Sequence, residues 1–365
     1  TVTLTDSRVG GDVLTTSYSS ARFANKNVGV GKTVSVSGIS ISGADAGNYT
    51  FNTTAATTAD ITARALTVTA TGVNKVYNGT TVATVTLSDN RVAGDVLTSS
   101  YGGASFANKN VGAGKTVSVS GISISGADAG NYTFNTTAST TADITAAPLT
   151  ITAADRSKAY GDTVTFAGTE FTATGLVGSD NVTSVTLTSD GAAAGAAVAG
   201  SPFAIVPSAA AGTGLSNYTI TYVNGALTVT PKALTITANN RTKTYGTTVT
   251  FAGTEFTATG LVTGDSVTSV TLTSAGAAAS AAVSGSPYSI VPSAAVGTAL
   301  GNYTVSYANG SLTVNKASIG LTASSSLDTV VHGHEVTFTA TVTGTGATGT
   351  VTFKDGETVL GTSTL

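Results

Sequence analysis

Histidine is the usual general base beside a serine or cysteine nucleophile. This chain of 365 residues has two histidines, His332 and His334, and no cysteine. With Glu335 they put three side chains able to bind a metal close together. On an extended strand, however, His334 and Glu335 point to opposite faces, so a solvated strand entry is expected there. Glycosidase chemistry needs two carboxylates near one another. Glu170 and Glu255 instead hold the same position in successive repeats, which suits a role in the fold or at the surface. Asp45 and Asp128 lie in Ala-Asp-Ala-Gly-Asn segments that read as turns. No Asp-x-Asx-x-Asx-Gly calcium loop is present. Lys75, Lys158 and Lys243 recur just before a Tyr-Asn or Tyr-Gly turn, a placement that raises the idea of lysine–asparagine crosslinks, but the sequence shows no buried acid to catalyse them. The triplets beginning at Asn48, Asn131, Asn217 and Asn302 have the form of glycosylation acceptors. The plainer expectation is an Asn that bonds its local backbone in a turn feeding a strand. Tyr49, Tyr132, Tyr218 and Tyr303, which follow them, are expected to be core anchors. These residues imply no catalytic residue, no metal site and no cofactor.

The composition narrows the function classes further. Net charge is -3, and the 16 lysines and arginines are spread along the chain, so a nucleic-acid surface is not expected. No apolar run is long enough to span a bilayer, and no membrane insertion is expected. Apolar residues make up 41% and charged residues 10%, a balance that can build cores. The opening Thr1-Val2-Thr3-Leu4-Thr5 reads as the inside of a strand, so the sequence is expected to be a piece of a longer chain.

Internal repetition is the dominant signal. Phe23-Ala24-Asn25-Lys26-Asn27 returns as Phe106-Ala107-Asn108-Lys109-Asn110, a step of 83 residues. Phe166-Ala167-Gly168-Thr169-Glu170-Phe171 returns as Phe251-Ala252-Gly253-Thr254-Glu255-Phe256, a step of 85. Strand openings recur at Leu66, Leu149 and Leu234, with a looser version at Ile319. The divisions expected from this are 1–64, 65–147, 148–231, 232–316 and 317–365, the first and last cut short. Ala147-Pro148 and Pro231-Lys232 leave no room for a floppy tether. Neighbouring domains are therefore expected to be nearly coaxial.

Period-two alternation, as in Val185 and Leu187 or Leu149 and Ile151, predicts strands. Two packed sheets are needed to hide several such strands within one repeat. The fold expected is all-β: a tandem array of small, Ig-like β-sandwich domains forming an extended rod. Asn224-Gly225 and Asn309-Gly310 predict tight hairpins. Those hairpins would set Tyr222 opposite Leu227, Ile220 opposite Val229, Tyr307 opposite Leu312 and Val305 opposite Val314. The alanine-rich stretch 191–197 is expected to be a loop or a small-residue strand, because its glycines oppose a helix. In the last segment, 336–342 predicts a strand, and Asp355-Gly356 predicts a turn before Val359 and Leu360.

Lys75-Val76-Tyr77-Asn78-Gly79-Thr80-Thr81 with Ser125-Gly126-Ala127-Asp128-Ala129-Gly130-Asn131-Tyr132-Thr133 resembles the YDG repeat of bacterial surface proteins, with Asn78 in place of the name-giving Asp. Residues 148–231 and 232–316 resemble the Gly-rich, mostly β MBG repeat, through Lys158-Ala159-Tyr160-Gly161 and Asn217-Tyr218-Thr219. Residues 317–365 resemble the start of a bacterial Ig-like domain. The resemblance implies a large adhesin-like or filamentous-haemagglutinin-like exoprotein, secreted or at the bacterial cell surface. It also implies a stalk or filament role rather than an enzyme. The partners so implied are further copies of the chain in a fibre, or a surface glycan or host protein met through regions outside this segment. The alternative reading is a module that binds carbohydrate or a host protein directly.

Overall fold

The computed structural model describes residues 1–344 and 347–365. The described residues form β-strands joined by loops and one-turn 3-10 helices, with no α-helix among them. They divide into two compact units. One comprises Thr1–Ile151, Ala173–Ser184 and Ala210–Thr221; the other comprises Thr152–Thr172, Val185–Ala209 and Tyr222–Leu365.

In the first unit, the second repeat (65–147) shows how alternation becomes architecture. Gly112–Ser120 reads Thr-Val-Ser-Val-Ser over its second half, so Val117 and Val119 share the inward face. This strand lies between Gly103–Phe106 and Thr137–Thr145, with Lys75–Val76 beyond the latter. The register shifts between Gly112 and Lys115. Gly114 takes a positive φ of 59° at that bulge, and its N–H donates to Asp143 Oδ1 at 2.7 Å. Facing strands come from Val68–Val73 paired with Thr84–Asp89 and from Arg64–Leu66 paired in parallel with Tyr132–Phe134. Leu66, Val68, Val117, Val119 and Ile144 are buried between them.

In the second unit, the fourth repeat (232–316) is a two-sheet sandwich. Lys232–Ala238 is the centre of a three-stranded sheet, antiparallel to Phe256–Thr259 and parallel to Tyr303–Ala308. The other sheet runs in the order Arg241–Thr244, Gly310–Asn315, Tyr288–Gly297, Val267–Thr273. Leu234 and Ile236 from the first sheet meet Ile290 and Leu312 from the second in one buried cluster. Burial of each such side chain contributes about 1.5–3 kcal/mol.

Two expectations need correction. The Asn-Gly pairs do not close hairpins. Tyr303–Ala308 stays with Lys232–Ala238, while Gly310–Asn315 pairs with Tyr288–Gly297 and Arg241–Thr244 in the opposite sheet. Gly225–Thr230 likewise pairs with Arg156–Ala159 and Phe203–Thr213. Alternation marks which side of a strand faces inward but not which sheet holds it, so the two readings share one apolar pattern. Tyr307, expected opposite Leu312, is exposed instead, and its hydroxyl accepts from Ala295 N–H at 2.9 Å. The alanine-rich stretch takes the loop form expected of it, with 193–197 running as turns between 3-10 turns at Asp190–Ala192 and Val198–Gly200. Gly191 lies so close to Phe203 that an added Cβ would meet the ring at 2.6 Å. Finally, the strand expected at 336–342 begins at Phe338, after the histidines. The Asp355-Gly356 turn stands as expected between Thr350–Asp355 and Thr358–Thr364.

Candidate functional site

Of the polar side chains singled out from sequence, the asparagines and tyrosines of the Asn-Tyr-Thr segments gather where one repeat meets the next. Each of the first four repeats carries a Val-x-x-Asp turn: Val9 to Asp12, Val92 to Asp95, Val177 to Asp180 and Val262 to Asp265. In each, the Asp N–H donates to the Val carbonyl at 3.0–3.2 Å. The tyrosine that opens the Asn-Tyr-Thr segment closes on this turn from the same repeat. Tyr49, Tyr132, Tyr218 and Tyr303 accept the valine N–H at 2.8–3.0 Å. The same hydroxyls donate to the aspartate at 2.5–2.8 Å. Tyr132, Tyr218 and Tyr303 are buried as expected, while Tyr49 is half-buried.

The preceding repeat supplies the other half of each junction. Asn131 Oδ1 accepts from Val28 N–H at 2.8 Å, Asn217 from Val111 at 2.9 Å and Asn302 from Val198 at 2.9 Å. Tyr77 donates to Asp180 at 2.8 Å and stands edge-on to Tyr218, with ring centroids 5.5 Å apart. Tyr160 donates to Asp265 at 3.0 Å and stands edge-on to Tyr303 at 5.4 Å. Between the first and second repeats, Lys26 bridges Asp95 at 2.6 Å and Asp128 at 2.8 Å. These asparagines were expected to bond their local backbone, and the structure instead gives them partners more than 100 residues away. Asn217 and Asn302 are buried, which is unsuited to glycan attachment.

The electrostatics follow from these contacts. The bonds to Asp128 and then Asp95 raise the Lys26 ammonium. Lys26 in turn holds both carboxyls below their ordinary range, helped by the Tyr132 hydroxyl at Asp95 and the Val96 N–H at Asp128. Burial, and then the bonds to Asp180 and Asp265, push the phenols of Tyr218 and Tyr303 up to about 12.

The other sequence candidates are spread apart. His332 and His334 flank an exposed turn at Gly333, and Glu335 follows ahead of the strand. Among the described residues no group of three or more metal-ligating side chains converges. Glu170 accepts the N–H groups of Ala167, Gly168 and Thr169 at 2.9–3.1 Å and pairs with Arg156 at 2.9 Å. Glu255 repeats this arrangement with Arg241. Both carboxyls are lowered chiefly by those backbone bonds, so each serves to close its own loop. Lys158 and Lys243 are buried and donate to the carbonyl oxygens of Asp162 and Ala193, and of Thr247 and Ala278. Lys75 donates to Thr80 O and Val82 O and to Asn78 Oδ1.

Sequence reasoning missed Lys26, Tyr77, Tyr160 and the four turn aspartates. The usable signal was the recurring Val-x-x-Asp, which stands 37 or 38 residues ahead of its tyrosine in each of those repeats.

The sheets and the repeated junctions define a protein of tandem all-β domains. Residues 1–58 and 62–142 match the YDG domain, and residues 149–228 and 234–313 match the MBG domain of YGX type, so the chain carries two of each in series. Among solved structures, the I-band fragment I67-I69 from titin is similar at 10% identity, covering 68% of this chain and 97% of that one with a TM-score of 0.24. No curated protein matches the chain.

Proposed function

We propose that the chain is a structural segment of a large secreted or surface-bound bacterial protein, a stalk or filament section that carries an adhesive or assembling region. One observation carries this reading. At three successive boundaries the same asparagine receives a backbone N–H from the preceding repeat. Groups repeated in that way serve to fix neighbours to each other. A catalytic centre would instead gather a unique acid, base and nucleophile in one place, and the chain acts in this reading without catalysis or cofactor.

Small-angle scattering with negative-stain microscopy over a range of concentrations tests the proposal. Isolated rods about 160–200 Å long are expected, at about 40 Å per domain. Ordered multi-copy fibres would assign the chain to assembly instead of reach. Compact particles, or specific binding on a glycan array, would overturn the stalk reading.

A further inference from the structure

The opening and closing segments of the fourth repeat run side by side in the same direction. Lys232–Ala238 pairs with Tyr303–Ala308 over six residue pairs, from Lys232 with Tyr303 to Thr237 with Ala308. Both segments then cross to the other sheet. There Arg241–Thr244 pairs with Gly310–Asn315 over four more, from Arg241 with Leu312 to Thr244 with Asn315. Each partner stands 71 residues on, and the crossing keeps that offset, since Ser311 N–H donates to Asn240 Oδ1 at 2.8 Å. Tyr245 N–H donates to Asn315 O at 2.9 Å and extends the ladder beyond Thr244. Leu234, Ile236, Ala238, Leu312 and Val314 bury one side of it. On the other side the hydroxyls of Thr235 and Ser306 lie 3.1 Å apart, and Ser306 also donates to Leu234 O at 3.3 Å. Buried Lys243 pins the end of the opening segment to the carbonyl oxygens of Thr247 and Ala278. The third repeat has the same device. Arg156–Ala159 runs parallel to Leu227–Thr230, and Ala226 N–H donates to Asp155 Oδ1 at 2.7 Å.

The parallel direction decides how this ladder carries load. The chain enters it at Lys232, where the opening segment starts, and leaves it at Asn315, where the closing segment ends. In a parallel pair those two points lie at opposite ends. Tension along the chain therefore drags the two segments past each other lengthwise. Ladder hydrogen bonds lie across the strands, so sliding strains all of them together. An antiparallel arrangement would put entry and exit at the same end, and the bonds would open one after another.

We propose that the parallel ladder of Lys232–Thr244 with Tyr303–Asn315 is a mechanical clamp, which keeps the fourth repeat folded under tension applied along the chain. The ladder of the third repeat is a second such clamp. The inference rests on the stalk reading for the source of the tension and deepens it, giving the segment load to hold as well as distance to span. Resistance of this kind is a matter of the barrier to forced unfolding, and equilibrium stability does not set it. It depends on bonds that break at the barrier, and the ladder supplies them next to both points of load.

The test is force spectroscopy of the full chain in optical tweezers. The chain has no cysteine, so an introduced pair fixes the points of pull. Handles on Pro231→Cys and Lys316→Cys load the ladder lengthwise. Handles on Thr248→Cys and Lys316→Cys lie beyond the same end of it and draw the segments apart sideways. All three positions are exposed. At a matched loading rate the lengthwise pull should need at least about twice the force of the sideways pull. Two further variants place the barrier. Ser306→Ala removes a hydroxyl from the ladder and should speed lengthwise unfolding at fixed force at least about threefold. Thr268→Ala removes a bond to Val296 O at 3.0 Å, between strands outside the ladder, and should leave that rate near the parent's. Equal forces in the two directions, or equal rate changes in the two variants, would each overturn the clamp. The stalk reading fails separately: compact particles in scattering would remove it and leave these forces as they are.

Discussion

The junction asparagines show how a side chain can be read correctly for type and wrongly for partner. An Asn before a Tyr-Thr strand start is a turn former by local rules, and each does end a 3-10 turn. Its acceptor oxygen is used elsewhere, on a valine N–H of the preceding repeat, and no local pattern encodes that distance. Asn302→Ala would leave Val198 N–H without this partner, a loss of about 1–3 kcal/mol. Hydrogen exchange at Val198 should quicken at least about fivefold, and exchange unchanged at that amide would remove the junction role. The tyrosines beside these asparagines set a pH limit. The folded phenols of Tyr218 and Tyr303 stand at about 12, against about 10 in an unfolded chain. Their stabilisation is therefore whole below about pH 10 and is lost as pH rises toward the folded value. A tyrosinate absorbance titration should show these two ionising late, together with loss of β-sheet circular dichroism. Asp95 and Asp128 work in the opposite sense. Their folded values are depressed, so the stabilisation they give is present above the ordinary carboxylate range and fades as pH falls through the folded values.

Strands were legible wherever alternation was clean. Val185 and Leu187 lie inward on Asn181–Thr188, and Leu234 and Ile236 lie inward on Lys232–Ala238. The pairing of the closing strands was not legible, because inward residues from two facing sheets give the same pattern as inward residues from one hairpin. Gly310 holds the distinguishing physics. Its backbone passes so close to the facing sheet that an added Cβ would sit 2.4 Å from Ala238 O. Gly225 repeats the approach against Ala153 O at 2.6 Å. The glycine of Asn-Gly is thus needed for a close crossing between sheets, not for a turn with positive φ. Gly310→Ala should destabilise the fourth repeat by about 1–3 kcal/mol through forced backbone movement. Gly301→Ala, where a Cβ would meet nothing within 4 Å, should stay within about 0.5 kcal/mol of the parent. Chemical denaturation followed by tyrosine fluorescence compares the two, and equal effects would mean that the close approach at Gly310 does not constrain the backbone.

The short connector Pro231-Lys232 already suggested that the repeats are not loose beads, and the packing gives that suggestion a mechanism. Tyr160 and Val229 belong to the third repeat, yet they share a buried cluster with Leu234, Ile236, Ile290, Tyr303 and Leu312 of the fourth. The core of one repeat therefore runs into the next, and the stability of each includes a term from its neighbour, as in linear repeat proteins. Tyr160→Ala tests this coupling. Removing a large buried aromatic costs about 3–5 kcal/mol, and independent beads would confine that loss to the third repeat. In a coupled pair, at least about 1 kcal/mol of it falls on the fourth, and the amides of Ile236 and Ile290 should exchange about fivefold faster. Tyr160→Phe keeps the edge-on ring against Tyr303 and gives up the hydroxyl's polar contacts, the bond to Asp265 first among them, so it should disturb those amides less. Fourth-repeat exchange that stays at the parent rate in Tyr160→Ala would mean that the shared cluster carries no coupling. The rigidity that the proposed stalk needs would then have to come from the polar contacts of the junctions, such as those of Asn302, Tyr77 and Lys26.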